Sequence, residues 1–313
     1  MAEQLVSEAI GLITDETDVL DLKIATAALT EMREAYQVFA PYKEEQKVSI
    51  FGSARTLPDD PLYAQARDLA SSLADRGWMT VTGAGPGIML AGMEGAGRER
   101  SIGVSIRLPF ESGANDIIAG DDKHVAMKYF FTRKLMLVKE SQAFVCLPGG
   151  FGTLDETYEL LTLIQTGKSL PVPVVLLDAP GDPYWEHVDE FVRTQLIDRG
   201  LVSPGDTGLY RITDSCEEAC SIIEGFYSNY RSLRFVGDRM VLRLRQGPSD
   251  EQLAELNGRF GHLCASGEIE RTEPSRVERR DEDHLDLDRI AFDFTKHGYG
   301  DVIAMIGDIN SWV

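Results

Sequence analysis

Glu156 and Arg133 are the two residues whose types and surroundings could do chemistry on an anionic substrate. Glu156 closes the stretch CLPGGFGTLDE (146–156), in which an apolar run reaches Pro148 and Gly149, Gly150 and Gly152 follow within a few positions. Glycines at such a point let backbone N–H groups come close to a ligand, and the N-terminus of a following helix carries partial positive charge. Both suit a phosphate. Arg133 lies one segment upstream, in KHVAMKYFFTRKLMLVK (123–139), which holds Lys123, Lys128, Arg133, Lys134 and Lys139 and no acid in a chain of net charge −20. An acidic protein that gathers cations there is suited to receive a small anion. Thr153 and Glu156 also match a capping box, in which the hydroxyl bonds the amide three residues on and the glutamate reaches back. On the residues alone, Glu156 is equally a cap and a catalytic carboxylate.

The elements that must position these residues follow from periodicity. Short β-branched runs at 47–51, 79–82, 101–106, 142–147, 172–177 and 209–212 alternate with helical patterns at 61–76, 87–99, 127–140, 154–166, 184–198 and 215–229. This alternation predicts an α/β fold, a Rossmann-like doubly wound parallel sheet covered on both faces, with ligands bound at the carboxyl ends of the strands. Two more post-strand loops then join PGGFGT on one sheet edge. They are FGSAR, with Gly52, Ser53 and Arg55, and TGAGPGIM, with Gly83, Gly85 and Gly87. Residues 1–45 read as an N-terminal helical segment, 46–229 as the catalytic α/β domain, and 230–313 as a small α/β C-terminal appendage. In the appendage RMVLRLR and DRIAFDFT predict strands, SDEQLAELNGRFGHL and YGDVIAMIGDIN predict helices, and EPSRVERRDEDHLD predicts a charged, solvated loop.

Composition removes several classes. The acidic balance argues against DNA or RNA, whose binding is driven by cationic neutralisation of phosphates. No run approaches the roughly 18 apolar residues of a membrane span, and MAEQLVSEAI carries acids where a secretory signal would be basic, so a cytoplasmic protein is expected. Cysteines at 146, 216, 220 and 264 have neither zinc spacing nor disulfide-scaffold density, and the scattered histidines suggest no metal. GAGPGIML fails the dinucleotide fingerprint at Ile88, the next strand ends at Arg107 rather than an acid, and no GxxxxGK[ST] occurs.

PGGFGTLDE is similar to the PGGxGTxxE motif of the LONELY GUY (LOG) family, and TRKLML resembles that family's arginine-lysine signature. FGSAR and TGAGPGIMLAGMEGA resemble its first two loops, so that the likeness covers about 46–228. The resemblance implies hydrolysis of the N-glycosidic bond of cytokinin riboside 5′-monophosphates or related nucleotides such as AMP, giving free base and ribose 5-phosphate. It makes Arg133 and Glu156 the catalytic pair, and Gly149, Gly150, Gly152 and Thr153 phosphate binders. Gly52, Ser53, Gly85 and Gly87 join them as loop contacts. Lys134 is a ligand contact or a solvated helix lysine. Met136 walls the base or fills the core, Glu94 meets the ribose or base or is a solvated acid, and His124 is unassigned. No cofactor or metal is implied, the partner is a small nucleotide, and at least a homodimer is expected. Many relatives are labelled lysine decarboxylase, yet no lysine here is singled out for a pyridoxal phosphate Schiff base. The N-terminal helices and the segment after 230 resemble the longer bacterial members. A second reading is a non-catalytic nucleotide-binding protein that uses the same loops.

Overall fold

The computed structural model describes residues 1–108 and 113–313. Seven short strands, β1 (Lys47–Phe51), β2 (Met79–Thr82), β3 (Ser101–Ile106), β4 (His124–Met127), β5 (Ala143–Cys146), β6 (Val174–Leu177) and β7 (Arg211–Thr213), form one sheet in the order β4-β3-β2-β1-β5-β6-β7. Every pairing is parallel. The strands are almost wholly buried because both faces are covered, and alternate residues serve different cores. Val48, Ile50 and Val145 pack with α3 (Pro61–Asp75), α4 (Ile88–Ala96) and α8 (Cys216–Gly225). Phe51, Phe144 and Cys146 pack on the other face with α2 (Val19–Phe39), α5 (Phe130–Lys139), α6 (Phe151–Gln165) and α7 (Tyr184–Phe191).

Strand order reverses between β1 and β5, and the crevice of a doubly wound sheet opens at such a switch point. FGSAR follows one of these strands and PGGFGT the other. The six expected strands are present, and β4 is an additional one, a four-residue strand inside the cationic stretch whose last residue, Met127, falls at the expected start of the helix over 127–140. That helix begins at Phe130, after β4 has added an edge to β3.

The N-terminal segment is two helices. α1 (Ala2–Thr14) buries no residue, whereas α2 buries Ala28, Glu31, Ala35 and Phe39. Beyond α8 a second, antiparallel sheet has the order β10-β11-β9-β8, built from β8 (Tyr230–Val236), β9 (Arg239–Leu244), β10 (Cys264–Arg271) and β11 (Asp288–Phe294). α9 (Asp250–Phe260) and α11 (Tyr299–Asn310) bury their apolar sides against it. A Cβ on Gly300 would lie 2.1 Å from the Gly205 carbonyl oxygen, so α11 meets the turn before β7 backbone to backbone.

The stretch 273–286 is mostly exposed, as expected, but it is not all loop. It contains α10 (Arg276–Asp281), opened by a capping box from Ser275, and Glu278 is buried. Arg243 Nη2 reaches Glu278 Oε1 at 2.8 Å and Arg289 Nε at 3.2 Å. Burial alone would raise the Glu278 pKa; hydrogen bonds from Ser275 and the two guanidiniums outweigh it and hold the carboxyl well below its usual range. Glu278 is the one buried charge of the stretch, and the others stay at the surface.

Asp178, at the end of β6, is 2% exposed and accepts the Trp185 amide at 3.1 Å. Burial pushes its carboxyl up from 3.8 to about 6, with Asp182, Glu186 and Asp214 adding to the effect. A raised acid stabilises the fold when protonated, so its contribution is complete below about pH 4 and is lost as pH rises through about 6. Asp178→Asn, which keeps an acceptor for Trp185, is expected to stabilise the protein by about 2 kcal/mol at pH 7.5 and by much less at pH 4, measured by denaturant titration at both pH values.

Candidate active site

A cavity of about 820 Å³ opens along the carboxyl ends of β3, β2, β1 and β5. It is lined by the three glycine loops together with Arg133 and Glu156. Arg133, on the first turns of α5, is 8% exposed. Its Nε donates to the Val104 carbonyl at 3.0 Å and its Nη1 to Glu156 Oε1 at 3.0 Å. The guanidinium therefore spans from β3 to α6 with two of its donors fixed.

Three local arrangements hold it there. α5 has no side-chain cap of its own. Glu31 of α2 supplies one from about a hundred residues away, accepting the Lys128 amide at 2.7 Å and the Thr132 hydroxyl at 2.6 Å. A carboxylate there also meets the positive end of the helix dipole. The second support is Gly83. A Cβ at this position would lie 1.9 Å from Arg133 Nη2, so only glycine lets the loop pass the guanidinium. The third is the conformation of that loop, in which Ala84 takes φ +56°. This costs a non-glycine residue on the order of 1 kcal/mol. The Thr82 hydroxyl accepts the Ala84 amide at 3.0 Å, and Asn115 donates to the Ala84 and Gly85 carbonyls at 2.8 and 3.1 Å.

Glu156 is not a cap. α6 begins at Phe151 with Gly150 as its N-cap and no side-chain cap hydrogen bond, three residues earlier than the sequence pattern indicated. Thr153 thus sits in the first turn, and the Glu156 carboxylate turns across the loop to Arg133. Burial raises the Glu156 pKa, against the lowering influence of Arg133 and Lys134. The first intrahelical bond of α6 runs from the Leu154 amide to the Gly150 carbonyl, which leaves the Phe151, Gly152 and Thr153 amides without an intrahelical acceptor at the cavity. A Cβ on Gly149 would lie 2.2 Å from the Thr153 hydroxyl and 3.1 Å from the Ser53 amide, so this glycine lets the first and third loops close on each other. The Tyr184 hydroxyl donates to the Gly149 carbonyl at 2.7 Å and anchors the turn from α7, a role with no sequence signal.

Of the expected site residues, Gly52, Ser53, Gly85, Arg133, Lys134, Gly149, Gly150, Gly152, Thr153 and Glu156 line the cavity. Three do not. Gly87, at φ +64°, packs its backbone against Ser53, and the Ile88 amide donates to the Ser53 carbonyl at 3.0 Å, so this loop is used on the protein itself. Met136 is fully buried in the core beneath α5. Glu94 is exposed on α4, outside the cavity lining. Lys134 is at the cavity, yet its ammonium lies 2.6 Å from Asp155 and 2.8 Å from Glu159. The cationic stretch as a whole is largely neutralised, with Lys123 on Asp121 and Lys139 on Glu140. Met89, Ser105, Leu108 and Phe151 also line the cavity; Met89 and Phe151 sit inside the glycine motifs but carry no polar group that marks them, and Ser105 and Leu108 lie outside any motif.

A doubly wound parallel sheet with glycine turns and an anchored guanidinium–carboxylate pair at its switch point defines a Rossmann-like α/β protein with an anion-suited crevice. A family model described as "Possible lysine decarboxylase" matches residues 86–223. A cytokinin riboside 5′-monophosphate phosphoribohydrolase of Mycobacterium tuberculosis is 29% identical over 168 residues, 51% of this chain and 86% of that protein. A probable cytokinin riboside 5′-monophosphate phosphoribohydrolase of Arabidopsis thaliana is 33% identical over 143 residues, 44% of this chain and 68% of that protein. Another from the same plant aligns over only 46% of its own length. The chain belongs to the LOG family. Among solved structures, the molybdenum cofactor binding protein of Rippkaea orientalis is similar at a TM-score of 0.42 and 20% identity, covering 57% of this chain and 96% of that one.

Gly83→Ala forces Arg133 from its position without removing a charge. The variant is expected to lose ligand-dependent function by about 10²-fold, the usual consequence of a displacement near 1 Å in a reacting group, while its folding stability falls by only about 1–3 kcal/mol. Nucleotide turnover and thermal unfolding, measured on one preparation, check this.

Proposed function

We propose that the chain hydrolyses the N-glycosidic bond of a nucleoside 5′-monophosphate, of the AMP or cytokinin riboside monophosphate type, releasing free base and ribose 5-phosphate. The observation that carries this reading is the 3.0 Å pair of Arg133 and Glu156 at a cavity that also holds the glycine turn of α6. Amides of the first turn of α6 suit the 5′-phosphate, with the helix dipole adding to the attraction. The ribose then falls over the ion pair. As the bond to the base breaks, positive charge grows on C1′ and negative charge on the base, as in other glycoside hydrolyses. The Glu156 carboxylate stabilises that carbon and takes the proton of the attacking water. Arg133 is too basic to act as an acid; it orients the carboxylate through a fixed fork. The names of the relatives support a phosphoribohydrolase of this kind.

A decarboxylase forming a Schiff base needs a lysine that loses its proton readily. Lys134, at the cavity, is the opposite. Burial would lower its pKa, but the hydrogen bonds it donates to Asp155 and Glu159 prevail and raise it. Phe130 on α5 and Phe151 on α6 are exposed at the cavity, and Phe131 and Leu135 are exposed on the same helix as Phe130, which supports a second copy of the chain packing there.

Chromatography of free base after incubation with AMP and isopentenyladenosine monophosphate tests the proposal. Release is expected from the wild type, and Glu156→Gln is expected to lower kcat by about 10³-fold with binding retained. Because the working form of Glu156 is ionised and its pKa is raised, the acid limb of kcat/KM is expected above the ordinary glutamate value of 4.5 and is lost in the variant. Binding without release by the wild type would favour a nucleotide-sensing protein instead.

A further inference from the structure

Ser105 and His124 form a pair that the reaction as written leaves unused. Strand register sets Gly103 of β3 opposite His124 of β4. A Cβ on Gly103 would lie 3.3 Å from His124 Cδ2 and 3.0 Å from the Ala84 Cβ, so glycine there leaves room for the imidazole to lie across β3. Two residues on, and therefore on the same face of the strand, is Ser105. Its Oγ lies 2.9 Å from His124 Nε2, it is 5% exposed, and it lines the cavity beside Met89 and Leu108. A buried hydroxyl held by a histidine on an edge strand, at a cavity wall that is otherwise apolar at Met89 and Leu108, calls for a polar ligand atom.

The sheet order says which atom. The cavity runs over β3, β2, β1 and β5 in that spatial order. Neighbouring strands are about 4.8 Å apart, so roughly 14 Å separates β3 from the glycine turn after β5, close to the length of an extended nucleoside monophosphate. With the phosphate at that turn and the ribose over Glu156, the base reaches β3. We propose, resting on the hydrolase reading, that the Ser105 hydroxyl is the catalytic contact to the departing base and that His124 is its positioning residue. His124 donates from Nε2 to Ser105 Oγ, leaving the serine O–H to point at a ring nitrogen of the base. The C1′–N bond breaks with its electron pair going to the base, water adds to C1′, and the proton that water gives up balances the one the released base acquires. Ser105 transfers no proton; its hydrogen bond strengthens as charge builds on the ring, and it thereby favours the transition state over bound substrate.

Kinetics on AMP, GMP and 7-methylguanosine 5′-monophosphate, with ribose 5-phosphate as a competitive inhibitor, test this. Ser105→Ala is expected to lose about 10²-fold in kcat on the ordinary nucleotides. Its loss on the 7-methyl nucleotide, whose cationic base leaves neutral, is expected to be less than about tenfold, and ribose 5-phosphate inhibition should stay within about twofold, because neither depends on charge building on the base. His124→Leu should resemble Ser105→Ala, and His124→Gln, which keeps a donor, should recover most of the rate. An unchanged kcat in Ser105→Ala, an equal loss on the methylated nucleotide, or a parallel loss of ribose 5-phosphate inhibition overturns the assignment. The wild-type control separates the two readings. A wild type that releases no base from any nucleotide sinks the hydrolase reading itself, whereas normal release with an indifferent Ser105→Ala removes only the present one.

Discussion

The Arg133 to Glu156 ion pair is the interaction on which the rest of the site depends. A guanidinium that is 8% exposed must find partners for its donors, and a carboxylate beside it must be kept charged. Each solves the other's problem, and the Val104 carbonyl takes a further donor. Burial still pushes Glu156 upward in pKa, so the carboxylate is more basic than an exposed one while remaining tied to a cation. A group in that condition is suited to hold a water or an electron-poor carbon.

The surroundings make sense as supports of this pair. Gly83 gives the guanidinium space, and the loop that carries it is kept in a left-handed turn at Ala84 by Thr82 and Asn115. Glu31 fixes the start of the arginine's helix, which makes α2 part of the framework that positions Arg133. Tyr184 ties down the opposite wall. The second sheet is farther from this chemistry. Its charged stretch is folded around Glu278, and α11 docks on the turn before β7, at the sheet edge remote from β3.

Much of this was legible in the residues. The alternation of apolar strands and amphipathic helices led to a parallel doubly wound sheet, and strand polarity alone brought the three glycine loops to one edge. What one dimension hides is direction. TLDE satisfies the capping-box pattern, and nothing local says that the helix starts three residues sooner and sends Glu156 across to Arg133. Met136 sits one turn from Arg133, but three residues along a helix leave two side chains about 60° apart, enough to move one from cavity to core. Gly87 matched a phosphate loop and in fact meets Ser53. Four residues of β4 were too short a signal beside five cations, and with them went the pairing of His124 and Ser105. Glu31 acts across 97 residues and Tyr184 across 35, through contacts that only the folded chain creates.

The proposed chemistry depends on where a nucleotide lies in this cavity. A crystal structure of the Glu156→Gln variant with AMP measures that directly. The phosphate is expected on the Phe151, Gly152 and Thr153 amides, with C1′ of the ribose against the side chain at position 156 and the Arg133 guanidinium still on the Val104 carbonyl. A phosphate bound elsewhere, or a ribose turned so that C1′ faces away from position 156, would contradict the central claim.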